Sequence, residues 1–251
     1  MTGPRTIADP QEYWDRYYAE QFHFGLGTED ILAALMQVPP VSTWMDVGCG
    51  SESMLWAIGL RAQRLVAVDA DPQRLAILRE FTCAAHPRGM HRTALALCGR
   101  SNPEDFPVRC RSLAAIVVAD CLTGRPPSDP SLPPAGFELV TQFGLLGLCR
   151  DAEHFTDSFT AAHQLLEPGG WAAGANWVAH DPGQRVELTE QLYRVAAAHA
   201  AIDLLLIHQV RITADPDFTA VWTYVGRKHR DGHRRSRHVT DGDTHDATAA
   251  G

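Results

Sequence analysis

The sequence predicts an α/β fold: one domain built on a seven-stranded, mostly parallel sheet with helices on both faces and a helical segment ahead of it. Three observations predict it. Short apolar runs alternate with amphipathic stretches through the centre of the chain, the pattern of strands joined by crossover helices. A glycine-rich turn follows the first apolar run and opens a helix-forming stretch. An acidic residue closes the second run, 19 positions after the last glycine of that turn.

Ahead of the sheet, residues 9–22 and 28–37 predict two helices. Apolar and aromatic residues recur there at helical spacing, and Thr28 with Asp30 supplies capping chemistry. Strands are predicted at 42–47, 64–69, 113–119, 137–143, 170–177, 201–209 and 218–226. Helices are predicted between them at 51–60, 72–84, about 153–166 and about 184–199, with a short helix and irregular chain over 86–112. The folded domain is expected to span 1–227, with 1–40 as a helical lid on a core of 41–227. From Lys228 onward apolar residues almost vanish, so 228–251 cannot offset its ordering entropy and predicts a disordered tail. Its His and Arg cluster reads as a solvated tail, with contact to an acidic partner or a metal as the alternative.

A chain of 251 residues with 45% apolar composition can bury one substantial core. A formal charge of −8 argues against a nucleic-acid partner, which would need clustered basic groups to neutralise phosphates. Residues 1–10 lack the apolar stretch of a signal peptide, and no run approaches the roughly 18 apolar residues of a membrane span. A cytoplasmic protein without membrane contact is expected. Cys49, Cys83, Cys98, Cys110, Cys121 and Cys149 form no C-x-x-C pair and read as reduced thiols, so no metal site is expected.

Residues 43–51 read T-W-M-D-V-G-C-G-S, a strand ending in D-x-G-x-G. Gly48 and Gly50 permit a tight turn and close approach of a ligand to the backbone. Asp69, at the end of the next strand, can accept hydrogen bonds from both hydroxyls of a ribose. Dinucleotide-binding folds place an acid at similar spacing, but their third glycine is replaced here by Ser53. Each feature alone has a bland reading, an ordinary turn or a helix cap before Pro72. Together, in β-α-β order, they favour a nucleotide-type site.

Further motifs narrow the reading. Residues 10–18 carry P-x-x-Y-x-x-x-Y-Y, residues 165–170 read L-L-E-P-G-G, and F-E-L-V-T-Q-F at 137–143 precedes C-R-D at 149–151. With these, residues 9–228 resemble the nicotinamide, phenylethanolamine and indolethylamine N-methyltransferase family, class I methyltransferases of Rossmann-like fold that use S-adenosylmethionine and release S-adenosylhomocysteine. The resemblance implies that Tyr13 and Tyr18 close over the cofactor and that Gly48, Cys49 and Gly50 contact its amino-acid end. It assigns the ribose to Asp69, the adenine to Asp120 and Cys121, and the methionine end to Gln142. Arg74 stands where the family has a smaller polar residue, and its role stays open.

On the acceptor side the sequence departs from the family. An acid common after the fourth strand is Leu146 here, and one at the end of the fifth strand is Asn176. Neither carries a charge to pair with an ammonium, which favours a heteroaromatic, zwitterionic or hydroxyl acceptor over a strongly cationic primary amine. Asn176 is the candidate for orienting a polar substrate group and His180 for a local base, although a histidine beside Asp181 also suits a plain exposed loop. Tyr17, Leu146, Trp177, Asp217 and Trp222 are the candidates for lining the acceptor, with Asp215 beside Asp217 in a loop where some relatives hold an amine. The expected function is methyl transfer from S-adenosylmethionine to a small molecule, at nitrogen of a heteroaromatic or amino compound. Alternatives are methylation of a hydroxyl, or a catalytically silent member that binds cofactor or a partner protein.

Overall fold

The apolar runs assemble into a single sheet in a computed structural model that describes residues 9–18, 20–130, 132, 136–181, 183–213 and 215–230. Its strands are β1 (Val41–Val47), β2 (Ala62–Asp69), β3 (Leu113–Val118), β4 (Phe137–Phe143), β5 (Leu166–Ala179), β6 (Ile202–Arg211) and β7 (Phe218–Lys228). They lie in the order β3-β2-β1-β4-β5-β7-β6. The first five run parallel, and β7 is antiparallel to both β5 and β6. All seven predicted strands are present. β5 begins at Leu166 rather than residue 170, because Leu166 pairs with Phe137 before an irregularity, and Gly169 turns the chain at a φ of 78°.

Parallel strands covered on both faces alternate their side chains between two cores. Along β1, Trp44 enters the first core while Met45 and Val47 enter the second. The first core collects residues from α1 (Pro10–Tyr18), α2 (Thr28–Leu35), α3 (Ser53–Gly59), α4 (Pro72–Ala84), α5 (Gly89–Leu97) and α6 (Asp105–Arg111). The second is covered by α7 (Ala152–Ala162) and α8 (Glu190–His199). Burying a Leu- or Phe-sized side chain stabilises by about 1.5–3 kcal/mol, so these two layers hold the sheet.

Three helical expectations change. α1 ends at Tyr18, because Phe22 and Phe24 pair side by side at 4.8 Å and the chain turns through left-handed Gly25 and Gly27. Residues 86–112 hold two helices, since Met90, Ala94 and Leu95 on α5 and Phe106 and Cys110 on α6 all face the first core. α8 starts at Glu190, where the Thr189 hydroxyl accepts the Leu192 amide at 3.2 Å.

Lys228 belongs to the fold and not to a tail. Its Nζ donates to the carbonyls of His163, Gln164 and Leu166 at 3.1, 3.3 and 2.7 Å, closing the C-terminal end of α7. Residues 231–251, the remainder of the expected tail, lie outside the described residues. Among the described residues no helix is long and apolar enough to cross a membrane.

Candidate functional site

The turn after β1 is built from backbone geometry that only glycine adopts freely. Gly48 and Gly50 sit at φ of 63° and 55°, and a Cβ on Gly48 would run into the Leu145 side chain. The Cys49 amide donates to the Val68 carbonyl at 3.0 Å. The Gly50 amide donates to Asp69 Oδ2 at 2.8 Å, and the Asp71 amide donates to Asp69 Oδ1 at 2.8 Å. Asp69 thus pins the turn from the end of β2, and each of its oxygens keeps a second lone pair for a ligand. Gly48, Cys49, Gly50 and Asp69 therefore converge, as their spacing predicts.

Beneath the turn lies a residue that the sequence reading passed over. Asp46 is fully buried, accepting the Thr141 hydroxyl and the Ser53 hydroxyl at 2.7 Å each, while Trp44 Nε1 donates to Thr141 Oγ1 at 2.7 Å. Burial pushes its carboxyl up to about 7, against the pull of the two hydroxyls. Its signal was present as the first letter of D-x-G-x-G. It ties β1, β4 and α3 together under the glycines.

α1 roofs the turn. The Tyr13 and Tyr18 rings lie 6.0 Å apart with their hydroxyls hydrogen-bonded, and Trp14 stacks on Tyr18 at 5.6 Å. Burial raises both phenols, and the Glu52 carboxylate raises them further. Glu52 precedes α3; its Oε1 accepts the Ser51 hydroxyl at 2.8 Å, and burial pushes it up to about 7. The Arg74 guanidinium lies 5.2 Å over the Tyr13 ring and 3.6 Å from Asp71 Oδ2. An ion pair of 2.7 Å between Asp15 and Arg88 fastens α1 from outside. Neither Glu52 nor Arg74 belongs to a motif, so only the folded chain brings them to the tyrosines of α1.

The segment after β3 closes the third side. The Ala119 amide donates to the Asp69 carbonyl at 2.9 Å, and the Cys121 thiol lies against the Gly48 backbone, with burial pushing it up to about 12. Asp120 is exposed and accepts the Leu122 amide at 2.9 Å. Both residues stand beside the turn where an adenine contact was expected.

Four expected site residues face elsewhere. Thr141 takes the first-core position on β4, so Gln142 points to the second core, where its Nε2 donates to the Tyr224 hydroxyl at 3.4 Å and its Oε1 accepts the Leu146 amide at 3.4 Å. Leu146 is a fully buried member of that core. Asn176, at 0% exposure, accepts the Gly147 amide at 3.0 Å and donates to the Tyr193 hydroxyl at 2.8 Å. Both ends of the amide are thus engaged within the protein. Trp222 donates from Nε1 to the Leu188 carbonyl at 3.0 Å and packs in the second core.

The remaining candidates gather beside Tyr13 or around the loop before β7. The Tyr17 ring lies 4.9 Å from Tyr13, and its hydroxyl bonds to Asp217; burial raises the phenol, as do the charges of Asp217 and Asp215. Asp215 Oδ1 accepts the Asp217 and Phe218 amides at 2.8 and 2.9 Å, fixing that loop. Trp177 is half-buried, donates to the Leu26 carbonyl at 3.2 Å and lies 6.4 Å from Phe218. His180 is exposed, and its amide donates to the Asp217 carbonyl at 2.9 Å.

No protein-family model matches the chain, and no curated protein matches it significantly in sequence. Solved structures do resemble it. The N-methyltransferase NodS from Bradyrhizobium japonicum WM9, in complex with S-adenosyl-L-homocysteine, is 15% identical with a TM-score of 0.53, covering 87% of this chain and 98% of that one. Magnesium protoporphyrin IX methyltransferase (ChlM) from Synechocystis PCC 6803 with bound SAM is 11% identical with a TM-score of 0.56, covering 88% and 92%. CalS10, an amino pentose methyltransferase from Micromonospora echinaspora, is 14% identical with a TM-score of 0.52, covering 87% and 95%. The chain therefore has the Rossmann-like class I methyltransferase fold.

Proposed function

We propose that this protein is an S-adenosylmethionine-dependent methyltransferase that methylates nitrogen in a small molecule carrying a basic group, with a lid of the nicotinamide, phenylethanolamine and indolethylamine N-methyltransferase kind. The observation that carries the reading is the convergence of the Gly48–Gly50 turn, the Asp69 carboxylate behind it and the Tyr13–Tyr18 roof above it. These residues suit the cofactor. Gly48 and Gly50 bring no side chains of their own to the turn, Asp69 retains lone pairs for ribose hydroxyls, and raised phenols stay protonated as donors to a carboxylate. When bound, the cofactor supplies a methyl group on a cationic sulfur. The chain's own residues orient it, exclude water with the tyrosine roof, and hold the acceptor's nitrogen in line.

Asp215 and Asp217 beside Tyr17 support an acceptor with a basic nitrogen, since their charge attracts a cation there. Leu146 and Asn176 are buried and offer no charge to an ammonium, so in this reading Asp215 and Asp217 are the acids that attract it. Calorimetry with S-adenosylmethionine tests the cofactor, and absence of binding overturns the reading. Labelled cofactor incubated with an extract of the source organism, followed by fragment mass spectrometry, tests the acceptor. A product labelled at oxygen overturns the nitrogen assignment alone.

A further inference from the structure

We propose that the Glu52 carboxylate is the anchor for the cofactor's α-ammonium group, a role that rests on the cofactor reading above and adds a specificity-determining residue to it. Glu52 is only 8% exposed, and among the described residues it has no ion-pair partner. A carboxylate so buried is costly to keep charged unless a cation meets it. Its Oε2 fills the space that a Cβ on Gly50 would occupy, directly in front of the turn.

The groups around it leave that cation to be supplied by a ligand. From α1 come the Tyr13 and Tyr18 phenols, from β2 the Asp69 carboxylate, from the turn the Cys49 thiol and Ser51 hydroxyl, and from α4 Arg74. Arg74 is the one cation among them; its charge reaches Glu52 and favours the ionised carboxylate, but it forms no ion pair there and is engaged by Asp71 and the Tyr13 face. Two acids and two tyrosine hydroxyls therefore gather at the turn. A zwitterionic amino-acid end matches this division: its ammonium meets Glu52, and its carboxylate meets the phenolic donors. Burial pushes Glu52 up to about 7, so at pH 6 the free protein keeps a proton there that an incoming ammonium displaces.

The test compares wild-type protein with E52Q by calorimetry, using S-adenosylhomocysteine and 5′-methylthioadenosine, a nucleoside thioether without the amino-acid end. We expect E52Q to bind S-adenosylhomocysteine at least about tenfold more weakly, a factor of ten being about 1.4 kcal/mol, while 5′-methylthioadenosine binds both proteins alike. Titrations at pH 6 in two buffers of different ionisation enthalpy should report proton release on S-adenosylhomocysteine binding by wild type and none by E52Q. E52D, which keeps the charge on a shorter arm, should fall between them. Unchanged or tighter S-adenosylhomocysteine binding by E52Q overturns the inference, as does an equal loss of both ligands. Failure of wild type to bind either ligand overturns the cofactor reading as well.

Discussion

Asp69 Oδ2 accepts the Gly50 amide at 2.8 Å, so a single carboxylate at the end of β2 fastens the turn that follows β1. The same group accepts the Asp71 amide through Oδ1 at the start of α4. Asp69→Ala strands both amides in a site where the carboxylate was 9% exposed. Bonds of this charge-assisted kind contribute about 1.5–3 kcal/mol each, so the variant should melt well below wild type. Its affinity for S-adenosylhomocysteine should fall by more than its stability alone explains, which calorimetry below the melting transition would reveal. Asp69→Asn keeps one acceptor and should lose less of both.

The pH dependence of stability at Glu52 has a definite sign. Its folded-state pKa of about 7 lies above the ordinary value of 4.5, so the folded protein binds more protons than the unfolded chain between those limits. Stability from this group is present in full below about 4.5 and is lost as the pH rises through 7. Glu52→Gln removes the buried charge, so its melting temperature should exceed that of wild type at pH 8 and match it at pH 4.5. A constant offset across that range would show that the charge is not the source. A residue that lowers stability at working pH is what a ligand-binding role predicts.

His91 lies between Trp14, Phe81 and Phe106, with ring centroids 5.9, 4.7 and 5.5 Å away, and neither of its nitrogens has a hydrogen-bond partner. Burial lowers its pKa to about 3. Stability from this neutral ring is present in full above about 6.5 and is lost as the pH falls toward 3. His91→Phe replaces two desolvated nitrogens by carbon in an aromatic setting and should stabilise by about 1–3 kcal/mol, with a larger gain at pH 5 than at pH 7. Thermal melts at the two pH values check both statements.

The fold was legible in the sequence to a greater extent than the site. Buried parallel strands write themselves as apolar runs, and the Gly48–Gly50 turn and Asp69 lie within one β-α-β unit, so their proximity follows from local order. Facing is harder. Gln142 and Thr141 are neighbours, yet one enters the second core and the other bonds to Asp46 under the turn, because a strand turns alternate side chains to opposite faces. Glu52 and Arg74 meet the tyrosines only after α1 folds over the sheet, and Tyr17 meets Asp217 from the other end of the chain. Contacts of that kind leave no spacing to read.

Asn176 provides a test of that division. Its amide joins Gly147 to Tyr193 and is fully buried. Asn176→Ala should therefore destabilise by about 2–4 kcal/mol through a cavity and unpaired buried groups. Per folded molecule, KM for the acceptor should stay at the wild-type value. A raised KM without a lowered melting temperature would return Asn176 to the substrate site.

Asp217→Asn makes the opposite prediction. Asp217 is exposed, accepts the Tyr17 hydroxyl and lends its charge to a loop held by Asp215. An exposed residue with few packed neighbours contributes little to stability, so the melting temperature should move by no more than about 0.5 kcal/mol in equivalent free energy. A cationic acceptor loses an opposite charge, and its KM should rise several-fold while kcat changes less, since the lost attraction is felt equally by substrate and transition state. Raising the salt concentration should weaken acceptor binding by wild type more than by the variant, because screening removes what the substitution has already removed. A neutral acceptor would show neither effect, and the charge requirement would then be withdrawn while the cofactor site stands.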